Sequence, residues 1–174
     1  MKQDPLKIFT NEILKADPNW GQHNNWTWKN NSCHWRAIGE EDGSPLILVH
    51  GFGASSEHWR NNAAYFAEKG FRVYAIDLIG FGMSDQPSSK KFDYLDNAVW
   101  AQQVIAFSEE VVKASQFKKV SIIGNSLGGL VALTSLYFRP DLIKSIIASP
   151  LPDPCFTQKF IPSKSIWIKR VTKF

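Results

Sequence analysis

The chain has 174 residues, 44% of them hydrophobic and 21% charged, and a formal net charge of +4. That apolar content can fill a core, which excludes a disordered chain, and the length fits one domain. The charge is concentrated at one end. Residues 155–174 hold Lys159, Lys164, Lys169, Arg170 and Lys173 and no acid, while the first 154 residues hold 15 basic and 16 acidic side chains. A nucleic-acid-binding domain spreads basic charge along a face of its core, so no nucleic-acid partner is expected. Cys33 and Cys155 form no C-x-x-C pair, which excludes a disulfide scaffold and a cysteine zinc site. The N-terminus has scattered acids and no apolar run of signal-peptide length, and no stretch approaches the ~18 apolar residues of a membrane span. A soluble, reducing, cytoplasmic setting is the default.

Residues 1–25 read as a polar N-terminal extension, with a short helix around Pro5–Lys15 and then a loop. Trp26-Thr27-Trp28 alternates, Asn30-Asn31-Ser32 is turn chemistry, and Cys33–Ile38 alternates again. That is a hairpin signature. Glu40–Ser44 is a polar loop. Next come short, continuously apolar runs: Leu46–Val49, Val73–Ile76, Val120–Ile123 and Ile146–Ala148. Such runs suit strands buried on both faces of a parallel sheet. The segments between them, Ser56–Lys69, Leu95–Ser115 and Leu127–Phe138, carry apolar residues at helical spacing, and Pro140 stops the last. Alternating strands and helices predict an α/β fold with right-handed crossovers over residues 26–150. Three prolines within Ser149–Pro154 then mark a boundary before the basic segment, 151–174.

Three motifs carry chemistry. Gly124-Asn125-Ser126-Leu127-Gly128 is G-x-S-x-G, directly after a predicted strand and directly before a predicted helix. That is the setting of a nucleophile elbow. The turn is so sharp that side chains at 124 and 128 would collide with it, and the serine must adopt a strained backbone. The Ser126 hydroxyl is thereby presented at a helix N-terminus, where partial positive charge favours an oxyanion. His50-Gly51-Phe52-Gly53 follows the strand Leu46–Val49, and Gly51 and Gly53 let its backbone approach a ligand. The backbone N–H groups of Phe52 and Leu127 are the expected oxyanion donors. The His50 side chain is expected to brace its own loop. Asp77, closing the strand Phe71–Ile76 ahead of Gly80-Phe81-Gly82, is expected to accept backbone N–H bonds in that glycine turn.

In order and spacing, HGFG, D-x-x-G-F-G-x-S-D and GNSLGG make residues 26–154 resemble the α/β-hydrolase superfamily. The stretches HGFGASSEHWRNN, YAIDLIGFGMSDQP and SPLPDP, with W-x-W before the hairpin, are similar to its cyanobacterial and plastid branch of pheophytinase-like esterases. The resemblance implies a mostly parallel sheet with helices on both faces. It also implies a serine nucleophile, no cofactor and a small hydrophobic ester as substrate, and no metal is expected because no metal-ligand cluster is visible in the sequence. A serine at the elbow disfavours epoxide hydrolases and haloalkane dehalogenases, which use Asp there.

Such an enzyme needs an acid and then a histidine after the serine. His23, His34, His50 and His58 all precede Ser126, and only Asp141 and Asp153 follow it. Asp141 reads as a helix-end residue and Asp153 first as a loop residue, with a triad acid as its second reading. The family continues for roughly a hundred residues beyond this point, so the length that first suggested one whole domain reads instead as the N-terminal half of a hydrolase, cut within its cap and inactive alone. The tail around Ile166-Trp167-Ile168 reads first as apolar packing with solvated lysines, and second as a peripheral membrane or ester contact. A cofactor-free haloperoxidase or C–C bond hydrolase on the same core, and a non-catalytic truncated fragment, are the alternatives.

Overall fold

The computed structural model describes Asp17, residues 19–87 and residues 96–149. The expected N-terminal helix, the Pro-rich boundary, Asp153 and the basic segment with its cap lie outside the described residues. The chain opens with an antiparallel hairpin of β1 (Gln22–Trp28) and β2 (Asn31–Ile38). Its two-residue turn is Lys29-Asn30, both at positive φ (47° and 62°), as the tight primed hairpin turns require. The turn therefore sits one to two residues earlier than Asn30–Ser32, and the first strand begins four residues before Trp26. The continuous polar and exposed run Gln22-His23-Asn24-Asn25 hides that strand from a hydrophobicity reading.

After the hairpin come β3 (Ser44–Val49), a 3-10 turn (Ser56–Trp59), α1 (Ala63–Glu68) and β4 (Phe71–Ile76). Then follow α2 (Asn97–Glu110), β5 (Val120–Gly124), α3 (Leu127–Phe138) and β6 (Ile143–Ala148). The sheet order is β1-β2-β4-β3-β5-β6. The pairs β4–β3, β3–β5 and β5–β6 are parallel, whereas the hairpin joins antiparallel through β2–β4. The central run Leu46–Val49 is 0–2% exposed throughout. Its residues alternate between two cores: Ile47 and Val49 pack with Trp100, Phe107 and Val131, while Leu46 and Leu48 pack with Trp59 and Ala63. A strand buried on both faces thus has no polar side to reveal, which is why the run reads as unbroken. Trp26 and Trp35 meet the Phe107 ring edge-on, so the hairpin is fastened to α2 by aromatic contacts.

Two elements depart from the sequence reading. The single helix expected over Ser56–Lys69 is broken into a 3-10 turn and the short α1. The backbone N–H of Ser56 is drawn to the Asp77 carboxylate at 2.5 Å, and Ser55 caps the turn that follows. The N–H groups of Arg60 and Asn62 then carry the chain into α1 by donating to the carbonyls of Glu57 and Trp59. The strand at 143–148 is not buried on both faces. Only Ile143 in it is buried, and Ile147 is 58% exposed, because β6 is an edge among the described residues.

Candidate active site

Gly124 ends β5, Asn125 and Ser126 form the turn, and Leu127 opens α3. Ser126 has φ 54° and ψ −113°, far from the conformations a serine ordinarily adopts. Two glycines hold it there. A Cβ at Gly124 would run into the backbone of Gly128 and Gly129, and one at Gly128 into the carbonyls of Val49 and His50. The start of α3 is thus pressed directly on the end of β3, with room for hydrogen only. Asn125 N–H donates to the Val49 carbonyl (3.0 Å), and Gly128 N–H to the Asn125 carbonyl (2.8 Å). At the other side, Asn125 Nδ2 donates to the Ser149 carbonyl at 3.3 Å, tying the turn to the end of β6.

The loop after β3 closes on this turn. A Cβ at Gly51 would lie 3.0 Å from Asn125 Oδ1 and 3.3 Å from the Ser126 Cβ. Gly51 therefore abuts the serine side chain, and Phe52 follows with its side chain 59% exposed. Gly53 sits at φ 71° with open space around it. The N–H of Leu127 belongs to the first turn of α3, where a helix offers no internal acceptor.

His50 is fully buried, and both its ring nitrogens are engaged. Nδ1–H donates to the Gly51 carbonyl at 2.7 Å, and Nε2 accepts from the Leu78 N–H at 3.1 Å. Those partners fix the neutral tautomer, and burial pushes the imidazolium form further away. His50 joins the loop after β3 to the loop after β4.

Asp77 anchors the same two loops more widely than the sequence suggested. Its Oδ1 accepts from Ser56 N–H, and Oδ2 accepts from Met83 N–H (2.8 Å) and His34 Nδ1 (3.0 Å). Ser84 Oγ donates to the Asp77 carbonyl (2.6 Å) and accepts from the His34 N–H (2.9 Å). Gln103 Nε2, from α2, donates to the same carbonyl (3.2 Å) while its Oε1 accepts from Ile79 N–H (2.9 Å). Burial alone would raise the Asp77 carboxyl. The hydrogen bonds from His34, Met83 and Ser56 outweigh burial and hold it down at about 2. A bulkier residue at Gly82 would collide with this carboxylate. The Met83 N–H is the partner that lies within the glycine turn itself. Sequence reasoning missed His34, Ser56 and Gln103, which lie 43, 21 and 26 residues away. A polar residue inside the apolar face of α2 was the one local signal, and it marks Gln103.

The structure thus brings together Ser126, Leu127, Gly124, Gly128 and Gly51, with His50 and Asp77 supporting the adjoining loops. Among the described residues no imidazole is hydrogen-bonded to the Ser126 hydroxyl, and Asp153 lies outside them. Asp141 is exposed and paired with Arg139 (2.8 Å), as suits the end of a helix.

A family model described as alpha/beta hydrolase fold matches residues 44–158. The chain belongs to the alpha/beta hydrolase fold family. Among curated relatives, a pimeloyl-[acyl-carrier protein] methyl ester esterase of Aliivibrio fischeri is 31% identical over 126 residues, covering 72% of this chain and 42% of the esterase. Epoxide hydrolase 4 of Mus musculus is 29% identical over 147 residues, covering 83% of this chain and 39% of that enzyme. Among solved structures, the thioesterase domain from the curacin biosynthetic pathway superposes with a TM-score of 0.69 at 23% identity, covering 77% of this chain and 46% of that one. That likeness is one of alpha/beta hydrolase fold. The chain spans about two fifths of the length of these curated relatives.

Proposed function

We propose that these residues are the nucleophile half of a serine hydrolase that acts on hydrophobic carboxylic esters. The observation that carries the reading is the Ser126 backbone, at positive φ between β5 and α3, with space at Gly124 and Gly128 for nothing larger than hydrogen. A fold does not maintain that strain for an ordinary helix cap. In this reading Ser126 Oγ attacks the ester carbonyl, and the N–H groups of Leu127 and Phe52 receive the charge that develops on the carbonyl oxygen. Gly51 lies against Ser126, which favours placing the next N–H in the chain at the attacked carbonyl. The esterase relative supports ester chemistry, and the serine at the elbow weighs against the epoxide-hydrolase relative as a guide to mechanism. The exposed Phe52, edge-on to Phe81 (5.4 Å), supports an apolar substrate portion.

Among the described residues no imidazole is hydrogen-bonded to Ser126 to accept its proton. His50 is committed to Gly51 and Leu78, and His34 to Asp77, so a complete turnover needs an imidazole and a carboxylate from elsewhere. The reading therefore makes the 174-residue chain inactive on its own. The cytoplasm remains the proposed setting. No helix among the described residues is long and apolar enough to cross a membrane, and the tail proposed as a peripheral membrane contact lies outside them.

The experiment is labelling with a fluorophosphonate alongside hydrolysis of p-nitrophenyl esters. Slow labelling mapped to Ser126 and absent in Ser126→Ala is expected, with ester turnover close to background. Labelling that persists in Ser126→Ala would overturn the nucleophile. Robust ester hydrolysis that disappears in Ser126→Ala would overturn the missing base.

A further inference from the structure

The two loops that meet at the elbow are built differently. In the loop after β4, Phe81 N–H donates to the Leu78 carbonyl (2.9 Å), Gly80 N–H to the Asp85 carbonyl (3.0 Å), and Asp85 N–H to the Ser32 carbonyl of β2 (2.8 Å). At the tip of the loop after β3, Ala54 N–H reaches the Gly51 carbonyl at 3.3 Å, and Gly53 stands at φ 71° with nothing within 4 Å of the place a Cβ would take. Phe52 lies between Gly51 and Gly53. Glycines on both sides leave many directions open to its N–H.

Aromatic rings supply the direction. Half-buried Phe81 stands among three of them, edge-on to Phe52 at 5.4 Å, edge-on to His50 at 5.6 Å and tilted against Trp100 at 5.8 Å. Trp100 is fully buried on α2, and its Nε1–H donates to the Ile79 carbonyl (2.9 Å). Phe81 is thus backed by the core and faces the tip of the other loop. His50 in turn donates Nδ1–H to the Gly51 carbonyl (2.7 Å). That carbonyl shares its peptide plane with the Phe52 N–H, and across a trans peptide the two point in opposite directions. The plane is therefore pinned at its oxygen by His50 and at its far end by the Phe52 ring. Phe81 touches both pins.

We propose that Phe81 is a positioning residue of this site: its ring wedges against His50 and Phe52 and aims the Phe52 N–H at the oxygen that gains charge when Ser126 attacks. The inference rests on the reading of Ser126 as nucleophile and of the Phe52 N–H as an oxyanion donor. Phe81 acts through the neighbouring rings and not on the substrate. Alanine at 81 leaves both pins without their backing. A misplacement of about 1 Å at such a site costs on the order of a hundredfold in rate. The elbow itself is held separately, by the close approach at Gly124 and Gly128, so the change spares the geometry of the serine.

The test uses the full chain and a short-chain fluorophosphonate. Labelling of Ser126 is timed by mass spectrometry, and the phosphorus-31 shift of the adduct is read in the folded chain and in urea, because that shift responds to hydrogen bonds on the phosphoryl oxygen. Phe81→Ala is expected to label about tenfold or more slowly, with its shift moved toward the urea value and its circular dichroism unchanged. Phe81→Tyr keeps the ring edge and is expected to restore both. Phe52→Ala, at an exposed side chain, removes the other half of the ring pair and is expected to reproduce the Phe81→Ala result even where Phe81→Ala itself fails to fold. Phe117→Ala, at a ring 91% exposed on the loop before β5, leaves rate and shift unchanged. The parent's rate and shift in Phe81→Ala or Phe52→Ala, or a loss that Phe81→Tyr does not restore, would overturn the wedge and leave the nucleophile standing. A parent chain that is not labelled at Ser126, or whose adduct has the same shift folded and in urea, would overturn the underlying reading and the wedge with it.

Discussion

Asp77, not the serine, ties the loops around the site together. Its carboxylate and carbonyl together receive bonds from β2, the loop after β3, its own glycine turn and α2. A carboxylate near 2 in the folded chain and near 3.9 when unfolded contributes about 2–3 kcal/mol at neutral pH. The sign follows from proton uptake. The unfolded chain protonates first as pH falls, so this contribution is whole above about pH 5 and lost as pH drops toward 2. Asp77→Asn is therefore expected to lower the melting temperature at pH 7, and its gap from the parent should narrow steadily between pH 5 and pH 3. A gap that stays constant over that range would refute the assignment. Of this network, the sequence disclosed the acceptor and its glycine turn. The other partners are set by sheet pairing, since Trp35 opposite Ile76 is what brings His34 beside Asp77.

At the scale of elements, the elbow is a contact between α3 and β3 as much as a turn. Gly128 touches the carbonyls at the end of β3, and Gly124 touches the first turn of α3. Gly53 also has a positive φ, yet nothing lies near its missing Cβ. These two cases separate close approach from backbone strain. Gly53→Ala is expected to cost about 1–2 kcal/mol in urea denaturation, the strain of a left-handed residue alone. Gly128→Ala must push backbone from backbone and is expected to cost more than about 3 kcal/mol or to prevent folding. Equal costs would show that no steric contact holds the elbow. The G-x-S-x-G spacing made the turn legible in advance, because strand, turn and helix are contiguous. The broken helix over 56–69 was not legible, because the pull on Ser56 comes from Asp77, twenty-one residues later.

At the scale of the molecule, the described sheet finishes at β6 with apolar residues on both flanks of one edge. Ile147 is 58% exposed, and Leu133, Leu136 and Tyr137 on α3 are 41%, 36% and 82% exposed. An edge of this kind offers unpaired backbone to another strand, with Lys144 as its one charged guard. The purified 174-residue chain is expected to self-associate as its concentration rises. In sedimentation velocity, Ile147→Lys combined with Leu136→Glu should return it toward monomer. A parent chain that stays monomeric at all concentrations would contradict this.

The α/β alternation, the elbow and the glycine turn were all determined by the sequence alone. Each depends on neighbours close along the chain, or on simple order. The tertiary structure decided what depends on distant strands meeting. It put His34 on Asp77, committed both nitrogens of His50, placed Gly51 against Ser126 and brought His23 to His34. Hydrophobic periodicity records which way a residue faces, but not which residue it faces. That second fact is fixed by register across the sheet, where a shift of one residue would send His34 to the opposite face.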